Sequence, residues 1–527
     1  MAVFARKASG LAKEASLFDA FGFGFMNNGL GTALWTMMSW GLFTFPGGNM
    51  VLGAIITTLL TIFGVSLAWA ILGGSMPRSG GDYVYNSRII HPAVGTATSW
   101  IQGLFTMTMW IWLLAPWIAD PGIPILAGAL GITPEAVEFW VSPLGMLIVA
   151  SIVNALSFLL VTFGFRAYLR MQKVTFVLGI VGVIIGLILL TITSREQFMS
   201  TYNAIATEWG STSYQQTVTA AAEAGYAPSD WNWTSTLGLT PSIAWGVTYG
   251  FAIGYIGGEI KRPERNILLA QVLAALIPGI LCVWAGFVCQ KTLGYEFMGA
   301  AAYVDNVGPE WYAMPFPPNW ANFAAILTGN PILRFLIGFN FIAYTFYWIP
   351  FSYLVFSRVL FAQGMDLIGP RWFTDLNPRF GTPIKLFALQ WILGQATIIH
   401  YSLFPEWLGG ISIMGLDALT VWAVMGITIM LFPFVKKAKH IWETSPHRWR
   451  IGPLPVAVIA GIVSILLSAI VVWAVYASPA MGGLNIYWTP IYIGIGIVGV
   501  LWYYAWKMKR GKEGIDISLA FKELPPE

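Results

Sequence analysis

Charge and cysteine are what this sequence is short of. Only 10% of its 527 residues are Asp, Glu, Lys or Arg, against about 25% in soluble domains. The mean hydropathy is +0.69, which excludes a soluble globular protein. The two cysteines, Cys282 and Cys289, share one apolar stretch. Seven residues along a helix sets them roughly 10 Å apart, too far for a disulfide, so they read as small buried hydrophobes and indicate no redox compartment. A haem or copper enzyme needs several intramembrane ligands, and of four histidines His91, His440 and His447 fall in loops, leaving only His400 near a span. No GxxxxGK[ST] sequence supports ATP-driven pumping. No stretch alternates apolar and polar residues over ten positions, which argues against a β-barrel.

What is abundant is long apolar runs. A helix needs about 20 apolar residues to cross the hydrocarbon core. Twelve segments qualify: 21–46, 51–74, 93–118, 143–165, 174–193, 241–258, 267–290, 332–357, 386–404, 407–434, 454–477 and 487–506. The residues before the first run are mixed, carry Arg6, Lys7 and Lys13, and lack an A-x-A-like cleavage site, so this run is expected to stay as a membrane helix. With the N-terminus inside, all of the 28 Lys and Arg except Arg195, Lys291 and Arg334 fall on the cytoplasmic side or within a turn of it. That asymmetry sets both the even count and the orientation, and places both termini in the cytoplasm of a plasma-membrane protein. Lys436, Lys437, Lys439, Arg448 and Arg450 belong to this signal. The outer loop 119–142 has no basic residue, and the long outer connections 194–240 and 291–331 are polar and rich in Tyr, Trp and Pro, as ordered caps would be. Asn232-Trp233-Thr234 is a candidate glycosylation sequon there, an unmodified sequon being the equal alternative.

The segment from Pro241 crowds Gly246, Gly250, Gly254, Gly257 and Gly258 into thirteen residues, although glycine costs a helix about 1 kcal/mol against alanine. Two readings fit. A spacing of four makes a small-residue stripe for close helix packing. Alternatively the helix unwinds and offers backbone groups to cargo at the midplane, as the interrupted helices of secondary transporters do. A polar patch at the matching place in the first span, Asn27, Asn28, Gly29, Gly31 and Thr32, favours unwinding, with part of the stripe still packing.

Three motifs then carry a resemblance. MPRSGGDYVYNSRIIHP (76–92), GGEIKRPERNI (257–267) and SRVLFAQGMDLIGPRWFTDLNPRFGTP (357–383) follow spans 2, 6 and 8 on the cytoplasmic side. In that order they resemble signatures of the amino acid–polyamine–organocation permeases, over Leu17 to Pro383. The resemblance implies an all-α polytopic membrane protein of twelve transmembrane helices. It forms a five-plus-five inverted repeat (helices 1–5 and 6–10) followed by helices 11 and 12, with helices 1 and 6 discontinuous. The chain then divides into a cytoplasmic tail 1–20, a first repeat 21–193, an extracellular loop 194–240, a second repeat 241–434, a loop with helices 11–12 over 435–506, and a cytoplasmic tail 507–527. The implied activity is alternating-access transport of an amino acid or related amine. In the family, amides of the first break take the carboxylate and carbonyls of the second take the ammonium group. This agrees with the polarity of half-helix ends. Carried over, the carboxylate site is Asn28, Gly29, Leu30, Gly31 and Thr32, and the ammonium site is Tyr249, Gly250, Phe251, Ala252 and Ile253.

The sequence departs from the pattern in two places. NNGLGTA carries two asparagines and is shifted by about one residue, and Ala252 follows Gly250-Phe251 where an acidic or polar residue is common. The second departure argues against a polyamine site and for a neutral or apolar amino acid. A polyamine or other organic-amine transporter, and a transporter-like nutrient sensor, are the alternatives; short tails speak against the sensor. No cofactor is implied beyond a coupling ion, H⁺ or Na⁺. No nucleic-acid partner is expected besides cargo and lipid bilayer, and oligomeric state is left open.

Asp417, about ten residues into its span, is the coupling candidate: a carboxylate at that depth is either functional or fixed by hydrogen bonds within the bundle. Proton-coupled relatives can carry a lysine in helix 5, where Gly179 stands here and Lys173 lies too near the end. For sodium, Thr345 and Ser352 are present, but Tyr347 and Trp348 occupy the matching positions. Phe251, Tyr249 and Trp245 are candidates for an outer gate, Phe251 first because it adjoins the expected break. Arg78 and Glu259 are candidates for an inner latch, against the commoner case of two separate solvated charges.

Overall fold

A computed structural model describes residues 10–11, 13–308, 311–404, 413–478 and 488–524. The first residues expected of spans 407–434 and 487–506 lie outside this set. The described chain is almost wholly helical; a two-residue hairpin, Arg450–Ile451 with Leu454–Pro455, is its one named sheet. Nine described helices are long and apolar enough to cross a membrane: Met50–Ser75, Pro92–Leu130, Pro143–Thr162, Phe165–Ile192, Pro263–Leu293, Pro331–Met365, Met414–Leu431, Val456–Ala477 and Thr489–Lys512. Large apolar side chains such as Ile152, Leu156, Leu159 and Val177 stand exposed along them, as lipid-facing positions must. Expected span 386–404 is present as Ile384–Leu403. The other two expected spans are the interrupted ones.

Helix ends differ from expectation where polar turns continue a helix beyond the apolar run. Phe165–Ile192 starts well before 174, presenting Arg166, Arg170 and Lys173 on its first turns. The third span runs on into the expected outer loop 119–142, as far as Leu130. It bends at Asp120, whose backbone is extended (φ −135°, ψ 114°) because the proline after it disfavours the helical region. The long outer connections carry helices of their own: Arg195–Trp209, Tyr214–Glu223 and Trp233–Gly238 in one, Tyr295–Val307 and Trp320–Ala325 in the other. Asn232 caps Trp233–Gly238, accepting from the Ser235 N–H, while its amide nitrogen donates to Ser229 and the Asp230 carbonyl.

The first interruption is sharp. Helix Leu17–Asn27, started by a Ser16–Asp19 capping box, ends at Asn28. Gly29 then takes a left-handed conformation (φ 57°, ψ 46°), and a second helix runs Leu30–Thr36 and onward to Thr44. Glycine is the residue that adopts this conformation without a steric cost.

The second interruption differs from the expected unwinding. Helix Thr240–Val247 gives way to a tighter 3₁₀ segment, Tyr249–Tyr255, and then to Gly257–Glu259. None of its five glycines has positive φ, and Gly246, Gly250 and Gly254 serve close packing. A Cβ on Gly246 would lie 3.0 Å from the Ala33 Cβ, one on Gly250 3.1 Å from the Ala274 Cβ, and one on Gly254 2.6 Å from the Trp69 ring.

The two interruptions are tied together by the asparagines of the first. Asn27 Nδ2 donates to the Tyr249 carbonyl (3.0 Å), Asn28 Oδ1 accepts from the Gly250 N–H (3.1 Å), and Asn28 Nδ2 donates to the Ala274 carbonyl. All of these groups are buried. Replacing Asn28 with alanine leaves a buried donor and a buried acceptor unmet, at about 1–3 kcal/mol each. Thermal unfolding of the Asn28→Ala protein in detergent is therefore expected to show a loss of several kcal/mol, and a loss below 1 kcal/mol would mean the bonds do not form.

Candidate functional site

The left-handed turn at Gly29 opens the first turn of the second helix piece, where N–H groups have no partner within the helix. Aromatic side chains close around it. A Cβ on Gly29 would lie 3.0 Å from Trp348 Nε1 and 3.3 Å from Trp245 Nε1. Both indole nitrogens, and that of Trp110, are buried without a hydrogen-bond partner among the described residues. Ring centroids are 4.6 Å apart for Trp110 and Trp348, 5.4 Å for Trp110 and Trp245, and 5.0 Å for Tyr249 and Trp348. Buried polar atoms without partners are rare in folded proteins and call for an explanation; here two such donors, of Trp245 and Trp348, lie beside a helix start. The Tyr249 hydroxyl donates to Asp417 Oδ2 (2.7 Å), and Asp417 Oδ1 and Asn27 Oδ1 are buried without partners. Unpartnered donors thus lie beside Gly29 and unpartnered acceptors on Asn27 and Asp417, groups of the two kinds that a zwitterion would meet.

Of the residues singled out in the sequence, Asn28 is brought against Gly250, and Gly29 against Trp348 and Trp245. Leu30, Gly31 and Thr32 form the start of the second piece; a Cβ on Gly31 would run into the Asn340 side chain, and the Thr32 hydroxyl sits 3.2 Å from that of Thr345. The expected carbonyl set is partly spent: Tyr249 O accepts from Asn27, Phe251 O from Gln271 Nε2, and Ile253 O from the Ile256 N–H. Ala252 and Ile253 lie further along the 3₁₀ segment, and Ile253 fills the space beside Gly24. Ser352 donates to its own helix at Trp348 O. Gly179 lets the Tyr344 ring approach, and Lys173 pairs with Asp19 at 3.0 Å.

Of the gate candidates, Phe251 packs on Trp69 (5.1 Å). Trp245, also a candidate, stacks on Trp117 (6.0 Å), which meets Trp35 (5.4 Å). Glu259 does not pair with Arg78. Its two oxygens accept from Arg358 Nε and Nη2, both at 2.9 Å, with each side chain 2% exposed. Sequence distance hid this partner, because Arg358 lies 99 residues on. A second buried fork, Arg88 on Asp366 (2.6 and 2.8 Å), lies in the same inner layer, joined by the Tyr83 hydroxyl. Backbone pairing completes the layer: Ala15 N–H donates to Glu259 O and Lys261 N–H to Ala15 O.

Trp110, Trp348 as a site residue, and Arg358 were not legible as such. The chain has 26 tryptophans, and nothing in local sequence separates those lining a site from those facing lipid. Among the described residues no three of His, Cys, Asp and Glu converge to hold a metal ion.

Comparison with known proteins gives a consistent result. A family model described as amino acid permease matches residues 23–513. An uncharacterized amino-acid permease of Schizosaccharomyces pombe is 22% identical over 524 residues, covering 96% of this chain and 84% of the relative.

Proposed function

The chain belongs to the amino acid permease family, and from that premise we propose that it is a secondary transporter carrying neutral or apolar amino acids across the plasma membrane by alternating access. Its twelve spans form two inverted five-helix repeats with two further helices, both termini are cytoplasmic, and the interrupted first and sixth helices hold the cargo. The observation that carries this reading is the cluster at Gly29: a left-handed helix break faced by the unpartnered indole N–H groups of Trp245 and Trp348. A cargo carboxylate would accept from these donors and from the first N–H groups after Gly29, a charge-assisted set in a dry pocket. The ammonium end would lie towards Asn27 Oδ1 and Asp417 Oδ1. The surrounding aromatic rings and the absence of a Lys or Arg among the named lining residues suit an uncharged side chain. The test is uptake of a panel of labelled amino acids into proteoliposomes, with pH and sodium gradients imposed separately. Binding without uptake would favour a sensor, and uptake of diamines alone would overturn the amino-acid reading.

Asp417 couples transport to protons in this reading. It is buried, has no cationic partner among the described residues, and gives one oxygen to Tyr249 beside the cargo. Asp417→Asn is expected to abolish the stimulation of uptake by an inward proton gradient. An unchanged rate with an unchanged pH dependence would remove Asp417 from coupling.

A further inference from the structure

Five carboxylates are buried among the described residues: Asp19, Asp82, Glu259, Asp366 and Asp417. Three have a cation, namely Lys173, Arg358 and Arg88. Asp82 and Asp417 have a tyrosine instead. Tyr255 donates to Asp82 Oδ1 at 2.9 Å as Tyr249 donates to Asp417, and the second oxygen of each is without a partner. Both tyrosines belong to the 3₁₀ segment Tyr249–Tyr255. A fully buried carboxylate with no cation ionises only at high cost and stays neutral instead.

Asp82 stands where the inner layer closes. Gly80 N–H donates to Tyr255 O, and Ser79 pairs with Ile256. Gly81, in a left-handed conformation (φ 52°), brings its backbone so near Tyr255 that a Cβ would lie 2.6 Å from the ring. The charged groups around Asp82 are engaged elsewhere. On its own helix, Arg88 is held by Asp366, with Tyr83 on the same carboxylate. On helix Pro331–Met365, Arg358 is held by Glu259. The Tyr85 hydroxyl meets Gly254 O. Helices Pro92–Ser99 and Val424–Leu431 present Thr98 and Thr428, both bonded to Asn86, and His91 caps the former.

We propose that Asp82 is a proton-binding site on the cytoplasmic closure, and that closing this side takes up one proton which opening returns to the cytoplasm. Burial pushes the Asp82 acid group up to about 7 from its ordinary value of 3.8. Parting of the 79–82 turn from the 255–259 segment would hydrate it and restore an ordinary aspartate. A group bound more tightly by its proton in the closed state stabilises closure fully at low pH. That contribution is lost as pH rises from about 4 to about 7 and is constant above, the closed-to-open ratio changing by up to about tenfold per pH unit within the window.

Hydrogen–deuterium exchange of the protein in nanodiscs, corrected for intrinsic rates, tests this without any cargo, so its failure leaves the amino-acid reading untouched. Protection of peptides covering 249–260 is expected to fall by up to about 15-fold between pH 5.5 and 7 and to level within about a unit above. Asp82→Asn, which stays neutral at every pH, is expected to remain protected with no slope. Should that variant fail to fold, Tyr255→Phe removes a donor to the ionised form and is expected to move the levelling point to higher pH. A wild-type slope in Asp82→Asn, a flat wild-type profile, or an unmoved point in Tyr255→Phe would each overturn the proposal.

Discussion

Arg358→Ala is expected to destabilise the folded protein by about 3–5 kcal/mol, the cost of stranding one partner of a buried ion pair. Glu259 has both oxygens on Arg358 and no other cation among the described residues, and each side chain is 2% exposed. Removing the guanidinium leaves a carboxylate in the inner layer with no water to receive it. The pair itself need not add stability, because the desolvation of both ions offsets their attraction. The double variant Glu259→Leu with Arg358→Met, similar in volume and without charge, is therefore expected to recover most of the loss. Denaturant titration of purified protein in mixed micelles checks both. A single variant within 1 kcal/mol of wild type would mean that water reaches Glu259 and that the inner layer is not sealed. If the double variant unfolds as readily as the single one, packing rather than charge carries the effect.

Gly29→Ala is expected to lower uptake by about 10- to 100-fold while leaving the protein folded. A left-handed alanine costs roughly 1–2 kcal/mol, and that alone leaves a protein of ordinary stability folded. The new methyl, however, would lie 3.0 Å from Trp348 Nε1 and 3.3 Å from Trp245 Nε1. It fills the place where a carboxylate would accept from both, and leaving such donors unmet is worth about 1–3 kcal/mol, a factor of ten for each 1.4 kcal/mol. Gly210 supplies the control. It has a similar backbone (φ 65°) and nothing within 4 Å of an added Cβ, so Gly210→Ala carries the strain without touching the site. Uptake and melting temperature measured on both variants separate the causes. Equal uptake in the two would place the cargo away from Gly29.

The Gly29 break and the glycine-rich segment after Pro241 were legible in the sequence for different reasons, and only one was read fully. A lone polar patch in an apolar run has few explanations, and Asn27 to Thr32 turn out to surround a true break. The stripe Gly246, Gly250, Gly254 satisfied two physical descriptions, packing and unwinding, with the same spacing. The structure assigns those glycines to packing on Ala33, Ala274 and Trp69, and it is the tighter winding of Tyr249–Tyr255 that interrupts the helix. The family pattern puts Asn28 on the cargo, and its side chain bonds the Gly250 N–H and the Ala274 carbonyl. A side-chain amide serves backbone and ligand equally well, and sequence carries no sign of which is nearer.

Composition and spacing alone determined that this chain is helical and lives in a membrane, because about 20 consecutive apolar residues have no other stable setting. The three inner motifs pointed to the permease family, and the family match over residues 23–513 agrees. Tertiary structure decided the pairings: Arg358 rather than Arg78 on Glu259, the indoles of Trp245 and Trp348 beside Gly29, and tyrosines rather than cations on Asp82 and Asp417. Each joins residues far apart in the chain, where hydrophobic periodicity is silent. A buried charge or indole N–H takes whichever partner packing brings within 3 Å, and only the folded arrangement of helices specifies that partner.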